Sequence, residues 1–327
     1  MRFLLSCFLF LPLTLIAQTD TTAITDSLTA IPFVAYWAQG DSFRYTVEKR
    51  EVSYRRGELE KADTTRYTAT FIVQDSLTDG YRIRWRFEDY KLAESAQTKL
   101  GNLSLEMQQS LESLQFDELV FLTDEVGTFR EIENLAEIQA IVDTFVNQLI
   151  ESTLAGLAEG DREKMRETLV NTIGHMRNRS YIEGNMFTEL QHLLHPMGVE
   201  FPYPDTVEYE DEYPNNFGGA PISANGIYYV DSLDAADDYV HIKQLVSLNE
   251  EDTKAMLEDY FGRLGMPAVK VAEVLVGSTY EITDDNDYHY YYYPGIPIYI
   301  DCQRHLVFNI EGDKAERFTR YLLEWID

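Results

Sequence analysis

Tyr288-His289-Tyr290-Tyr291-Tyr292-Tyr293 is the densest run of ring-bearing side chains in this chain of 327 residues. In a strand, Tyr288, Tyr290 and Tyr292 face one way and His289, Tyr291 and Tyr293 the other, so rings line both faces. Such a row suits stacking on a sugar or flanking an apolar groove, and it equally suits packing within a sheet, the commoner use of tyrosine. Arg82, Arg84 and Arg86 alternate along another strand and share one face, with Arg44 and Arg66 beside them. A stripe of that kind holds a phosphate or carboxylate through forked hydrogen bonds. The competing reading is the wet side of a half-buried sheet, neutralised by neighbours such as Glu48.

Three further sets offer metal or thiol chemistry. Asp284-Asp285-Asn286-Asp287, and the acidic stretch from Glu208 to Glu212, cluster oxygen ligands of the kind Ca²⁺ takes, with Asp284, Asp285 and Asp287 as the ligands. Neither cluster has the glycine and distal glutamate of the helix–loop–helix calcium site, and a solvated acidic surface accounts for both. Glu189, His192 and His195 recur every three residues along one side of an expected helix. The set lacks the His-Glu-x-x-His pattern of a zinc site, and the helix dipole alone favours a histidine at the carboxyl end. Cys302, inside the run Ile298-Tyr299-Ile300-Asp301-Cys302, reads as a small buried side chain rather than a nucleophile. Gly-x-Ser-x-Gly, Ser-x-x-Lys, Gly-x-x-x-x-Gly-Lys and Gly-x-Gly-x-x-Gly do not occur, so no catalytic residue is assigned and no cofactor is implied beyond Ca²⁺.

The elements that must carry these groups follow from periodicity. Phe43, Tyr45 and Val47, then Tyr67, Ala69, Phe71 and Val73, then Tyr81, Ile83, Trp85 and Phe87 alternate with polar residues, predicting an antiparallel meander turning at Arg56-Gly57 and Asp79-Gly80. Leu103, Met107, Leu111 and Leu114 form a helical stripe. A short hairpin follows around Glu125-Val126-Gly127. Three helices come next: one opened by Asn134 with Glu137, one by Asp161 with the stripe Met165, Leu169, Ile173 and Met176, and one by Ser180 with Glu183. The prolines and glycines between Pro196 and Pro221 argue against regular structure there. Strands resume at Ile227–Val230 and Tyr239–Leu248, Asn249 caps a helix that Gly265 and Pro267 stop, and Val269–Ile282, Tyr288–Tyr293, Ile298–Cys302 and Leu306–Ile310 read as strands. The tail from Asp313 fits a helix or an edge strand, and helix is preferred. The fold class is therefore α+β: twisted antiparallel sheets packed against a central block of three helices.

Arg2, the apolar run Phe3–Ile16 and Ala17 have the charge, length and small terminal residue of a secretion signal, and the run is shorter than the roughly 20 residues of a spanning helix. Leu4-Leu5-Ser6-Cys7 also reads as a lipid-attachment box. No later stretch is long and apolar enough to span. The expected organisation is a signal peptide (1–17), a flexible leader (18–39), a meander with one helix (40–133), a helical block (134–197), a Pro/Gly-rich loop (198–224) and a second α+β sheet segment (225–327). The formal charge is −29, which argues against nucleic acid and anionic lipid as partners. It is concentrated: residues 41–92 carry 11 basic and 10 acidic side chains, whereas 205–287 carry 4 and 19. Cys302 is the one cysteine beyond the signal, so no internal disulfide is available although the compartment would permit one.

The signal ending in Ala17-Gln18, the strand opening Gly40-Asp41-Ser42-Phe43-Arg44-Tyr45 and Val126-Gly127-Thr128-Phe129 resemble uncharacterised exported proteins of Bacteroidota-type Gram-negative bacteria over residues 40–130 and the C-terminal strands. That resemblance implies location and a twisted sheet, and no activity. The sheet-plus-helix plan is also similar, at the level of fold, to periplasmic lipoprotein carriers, whose curved sheet holds acyl chains against helices. The expectation is an exported, periplasmic or secreted, non-enzymatic binding or scaffold protein of the cell envelope, with an apolar ligand or a protein partner in a sheet/helix groove. The alternatives are a secreted hydrolase acting on glycans or peptides through the tyrosine strand and acidic loops, and an assembly component whose acidic face docks a basic partner.

Overall fold

The computed structural model describes residues 29–91, 117–213, 215, 219–310 and 312–326. The expected signal peptide, most of the expected leader and the stripe at Leu103–Leu114 lie outside the described residues. The strands are β1 (Ala30–Pro32), β2 (Ser42–Arg55), β3 (Glu58–Leu77), β4 (Gly80–Lys91), β5 (Glu118–Thr123), β6 (Phe129–Ile132), β7 (Glu200–Pro202), β8 (Val207–Tyr213), β9 (Ile222–Asp234), β10 (Tyr239–Leu248), β11 (Thr279–Tyr291), β12 (Ile296–Ile310) and β13 (Asp313–Trp325). The longer helices are α1 (Leu135–Ala155), α2 (Glu159–Ile173), α3 (Thr188–Leu194), α4 (Glu250–Arg263) and α5 (Ala268–Leu275).

Eleven strands form one antiparallel sheet in the order β6-β5-β4-β3-β2-β13-β12-β11-β10-β9-β8. It consists of two meanders, β2–β6 and β8–β13, whose first and last strands pair with each other from Tyr45↔Trp325 to Arg55↔Ala315. This topology puts β6 and β8 at opposite edges, so the chain between Ile132 and Val207 has to cross a face of the sheet. At ~4.8 Å per strand the crossing is ~48 Å if flat, which a helix of 21 residues covers only in part, at ~31 Å. The crossing segment supplies the lid of the main core. Leu135, Ile138, Val142, Val146, Ile150 and Leu154 of α1 are buried at helical spacing. They join Tyr45, Val47, Phe71, Ile83, Trp85, Phe121, Ile242, Tyr290 and Leu323 from both meanders in one apolar cluster.

The meander at 42–91 and the hairpin β5–β6 fall where alternation places them, with Tyr67, Ala69, Phe71 and Val73 all buried. Elsewhere the periodicity was overruled. The central three-helix block is not formed as such, because α2 buries no residue and the third helix is broken. A π-turn at Ile182–Met186 and the non-helical Phe187 interrupt it ahead of α3. The extra residue of a π-turn rotates the following stripe, and Ile182, Phe187, Leu190, Leu193 and Leu194 all reach the core. Asn134 does not cap α1 with its side chain. It spans to the neighbouring strand, accepting from Val120 N at 3.0 Å and donating to Glu118 O at 3.3 Å.

The tail is strand β13, in the middle of the sheet rather than at its edge. Phe318, Thr319, Tyr321 and Trp325 favour strand, and paired backbone on both sides settles a pattern that fits either period. Conversely, Ala268–Leu275 is helix, although its valines read as strand. Val271 and Leu275, four apart, pack with Tyr280 and against Leu257 and Phe261 of α4 as a second apolar cluster. Regular structure also enters the proline-rich stretch, as β7 and β8. β7 pairs with β1, so the end of the expected leader is a bound strap. Ile31, Phe33, Ala35 and Trp37 are buried, and backbone bonds Phe33 N→Val199 O, Ala35 N→Val126 O and Tyr36 N→Pro294 O tie it to three turns. The strap can be ordered because four apolar side chains at alternate positions offset its chain entropy.

Candidate functional site

Alternation sorts the second meander into two chemically different faces. On β11, Tyr280, Ile282, Asp284, Asn286, Tyr288 and Tyr290 are buried, while Thr279, Glu281, Asp285, Asp287, His289 and Tyr291 lie on the other side with partial or full exposure. Tyr288 and Tyr290 therefore serve the core. Tyr290 OH donates to Leu193 O of α3, and Tyr288 OH donates to Gln244 Oε1 at 3.2 Å. Burial pushes both phenols far above the ordinary tyrosine range. Tyr292 is half-buried against the same core.

One step along the strands the inner face turns polar. Register aligns Tyr228, Gln244, Asn286, Cys302, Tyr321 and Lys49 across six neighbouring strands. Gln244 is 2% exposed, and its amide is fully engaged. Its Nε2 donates to Tyr209 OH at 2.7 Å and Tyr228 OH at 2.6 Å, and its Oε1 accepts from Asn286 Nδ2 at 2.7 Å. His195 lies between the rings of Tyr228 and Tyr288, with centroids at 5.7 and 5.3 Å, and its Nε2 meets Tyr228 OH. Tyr209 stacks on Tyr228 at 4.8 Å and lies flat over Gly226, its register partner. Any Cβ at position 226 would fall inside that ring.

The next row is ionic. Arg304 reaches Asp284 with two bonds of 2.7 Å and lies over the ring of Tyr213. Glu51 gathers Lys61 at 2.9 Å, Lys49 at 3.2 Å and Arg317 at 3.2 Å. Partial burial would raise its carboxyl, but the three cations outweigh that and hold it down to about 2. On α3, Glu189 is buried and accepts from Tyr67 OH at 2.8 Å, while His192 packs on Tyr321. Burial, then the charges of His195 and Arg304, push His192 down to about 3. Glu189, His192 and His195 thus point to three separate partners rather than to one ion. Through Glu189, His192 and the Tyr290–Leu193 bond these contacts fix α3 on the sheet.

The arginine candidates sit on the outer face. Arg82, Arg84 and Arg86 each have a carboxylate: Glu133 at 2.8 Å, Glu118 at 3.2 Å and Glu88 at 2.8 Å. Arg44 shares Glu88 at 3.3 Å and Arg66 holds Glu48 at 2.6 Å. Asp284, Asp285 and Asp287 are not brought together, because Asp284 is on the inner face and the other two are on the outer. Cys302 is buried, and its thiol is pushed well above the usual range by burial. Among the described residues, one trio of metal-capable side chains converges, with ligand atoms within 4.8 Å of one another: His241, Asp287 and His289. Sequence reasoning named Asp287 and missed both histidines. Alternation puts His241 and Lys243 on the face opposite Val240 and Ile242 in β10, but only the β10–β11 register brings His241 to His289.

Between the sheet, the strap and α3 lies a void of about 10 Å³, lined by Trp37, Phe43, Tyr45, Phe71, Leu193 and Met197 among others, room for one water at most. A polar cleft of about 280 Å³ lies at the strand ends beside Glu250, Tyr280 and Glu281.

No protein-family description matches the chain, and no curated protein matches it. Among solved structures, one titled "Lipid-protein interactions in lipovitellin" overlaps 89% of this chain at 8% identity with a TM-score of 0.40. The chain spans 25% of that structure's length, and a likeness of that degree bears on neither fold nor ligand.

Proposed function

We propose that the chain is an exported, non-enzymatic binding or scaffold protein of the cell envelope that acts through its surface, taking a basic protein partner on the acidic end of its sheet. The observation that carries this reading is the edge strand β8. Among the described residues its backbone pairs with β9 on one side only, and Glu208, Glu210 and Glu212 are all exposed along it. Ile227 and Leu245, register neighbours of Glu208 on the outer face, are 36% and 40% exposed. Acidic side chains beside exposed apolar ones on an open strand edge favour a basic, partly apolar partner and disfavour self-association. Among the described residues no helix is long and apolar enough to cross a membrane.

The test compares the whole chain with its E208K/E210K/E212K variant as bait for envelope extract. The native chain is expected to retain a basic protein at low salt and to release it near 0.5 M NaCl, where the Debye length is only about 4 Å. The variant is expected to retain none. Equal capture by both, or capture by neither, sinks the reading. Native mass spectrometry of delipidated protein after exposure to the same extract checks the ligand version: a bound lipid would restore it.

A further inference from the structure

His241 and His289 are direct register partners across β10 and β11. Their imidazoles lie face to face, 4.1 Å between centroids and 11° from parallel. Asp287, two residues before His289 on the same face, brings Oδ1 to 2.7 Å from His241 Nε2. From this geometry we propose that His241, Asp287 and His289 form a binding site for a transition-metal dication of the Zn²⁺ class on the outer face of the sheet.

Four observations beyond proximity support the assignment. Each imidazole has a second partner on its Nδ1: Asp231 Oδ2 at 3.1 Å for His241, and Tyr239 OH at 2.6 Å for His289. Outer partners of this kind fix ring orientation and leave Nε2 as the ligand atom. Asp231 occupies its place because of a bulge, since His241 pairs with Ser232 and Ile242 with Val230, making Asp231 the extra residue. A second bulge lies beside His289, between its pairing to Tyr299 and that of Tyr290 to Pro297. Bulges gather next to functional sites because they re-aim side chains. Finally, two aspartates face one lysine, Lys243, 3.2 Å from Asp287, which leaves the cluster negative and suited to a cation.

The donor set selects the ion. Two imidazole nitrogens and one carboxylate oxygen suit Zn²⁺, Co²⁺, Ni²⁺ or Cu²⁺, whereas Ca²⁺ and Mg²⁺ require oxygen ligands. Metal–ligand bonds near 2.0–2.1 Å put tetrahedral ligand atoms about 3.3 Å apart. The nearly parallel rings have to splay by side-chain rotation for their in-plane nitrogen lone pairs to meet on one ion. The ion would enter between His241 Nε2 and Asp287 Oδ1, and its fourth position would face solvent or a docked partner.

The test uses the full chain stripped with a chelator and titrated with Zn²⁺ against a chromophoric competitor, and with Co²⁺ read by its ligand-field absorption. One equivalent per chain is expected, with a dissociation constant of about 1 μM or tighter, and with no competition from millimolar Ca²⁺. His241→Gln and His289→Gln should each weaken binding about 100-fold or more, and Asp287→Asn and the outer-partner variant Tyr239→Phe about 10-fold each. Should a histidine variant fail to fold, the imidazole proton resonances of the native chain decide the matter, because only two of the six histidines should shift with added Zn²⁺. Binding weaker than about 1 mM, affinity unchanged in His289→Gln, or shifts spread over the other histidines would overturn the site.

Discussion

Glu51 illustrates how an inward-facing charge is tolerated in this sheet. Three cations surround it, and their combined field outweighs the burial that would otherwise raise its pKa. Its folded value of about 2, against the usual 4.5, means that the folded state binds this proton less readily than the unfolded chain does. The stabilisation is therefore fully present above pH 4.5 and is lost as pH falls through 2, with a magnitude on the order of 2–3 kcal/mol at neutral pH. Thermal unfolding of the native chain and of Glu51→Gln should differ by a constant margin from pH 7 down to about 5, and the two curves should converge by about pH 2. A margin that does not change with pH would remove the assignment. Residue-level chemistry was partly legible from sequence. Alternation correctly gives Tyr288 and Tyr290 one face, and a solvated role for Arg82, Arg84 and Arg86 agrees with their carboxylate partners. The trio His241, Asp287 and His289 was not legible, because a pair 48 positions apart meets only through the β10–β11 register, which no local pattern specifies.

At the scale of elements, two of the errors share one cause. Ala268–Leu275 and Asp313–Trp325 each fit two periods, and the partner surface chose: α4 for the first, β2 and β12 for the second. Where one face is plainly apolar over a long run, as in β2, β3 and β4, the sequence sufficed. Gly226 shows how an element can depend on an absent side chain. It lies in the interior of β9, where glycine ordinarily weakens a strand, yet the Tyr209 ring covers it and stacks onward to Tyr228. Gly226→Ala should displace that ring and the Gln244 network behind it, lowering stability by about 1–3 kcal/mol. Combining it with Tyr209→Ala should cost less than the sum of the two single changes, since the clash and the ring disappear together. Additive losses in denaturant titrations would show that the ring does not constrain position 226.

The whole molecule is held by a seam between its two ends. Because β2 and β13 are neighbours in mid-sheet, the outer edge of β2 stays unpaired until β13, the last of the described strands, has arrived. Contacts of such sequence separation slow folding and make it a late, concerted event. The crossing segment from Ile132 to Val207 adds a second link, since α1 and α3 feed the same apolar cluster as strands from both meanders. A single cooperative unit is the expected consequence, even though charge is unevenly spread, with residues 41–92 close to neutral and residues 205–287 strongly acidic. Leu323 sits on the seam, fully buried, paired with Val47 on one side and Ile300 on the other. Leu323→Ala should therefore lower stability by about 3 kcal/mol, and the loss should appear equally in both meanders. Hydrogen exchange of the Ile83 and Trp85 amides reports the first meander, and that of the Ile242 and Tyr288 amides reports the second. Coincident transitions, shifted together by the substitution, are expected for one unit. If the Ile242 and Tyr288 amides kept their native protection while those of Ile83 and Trp85 lost theirs, the meanders would be separate folding units, and the β2–β13 pairing would be a contact between them rather than the bond that makes them one.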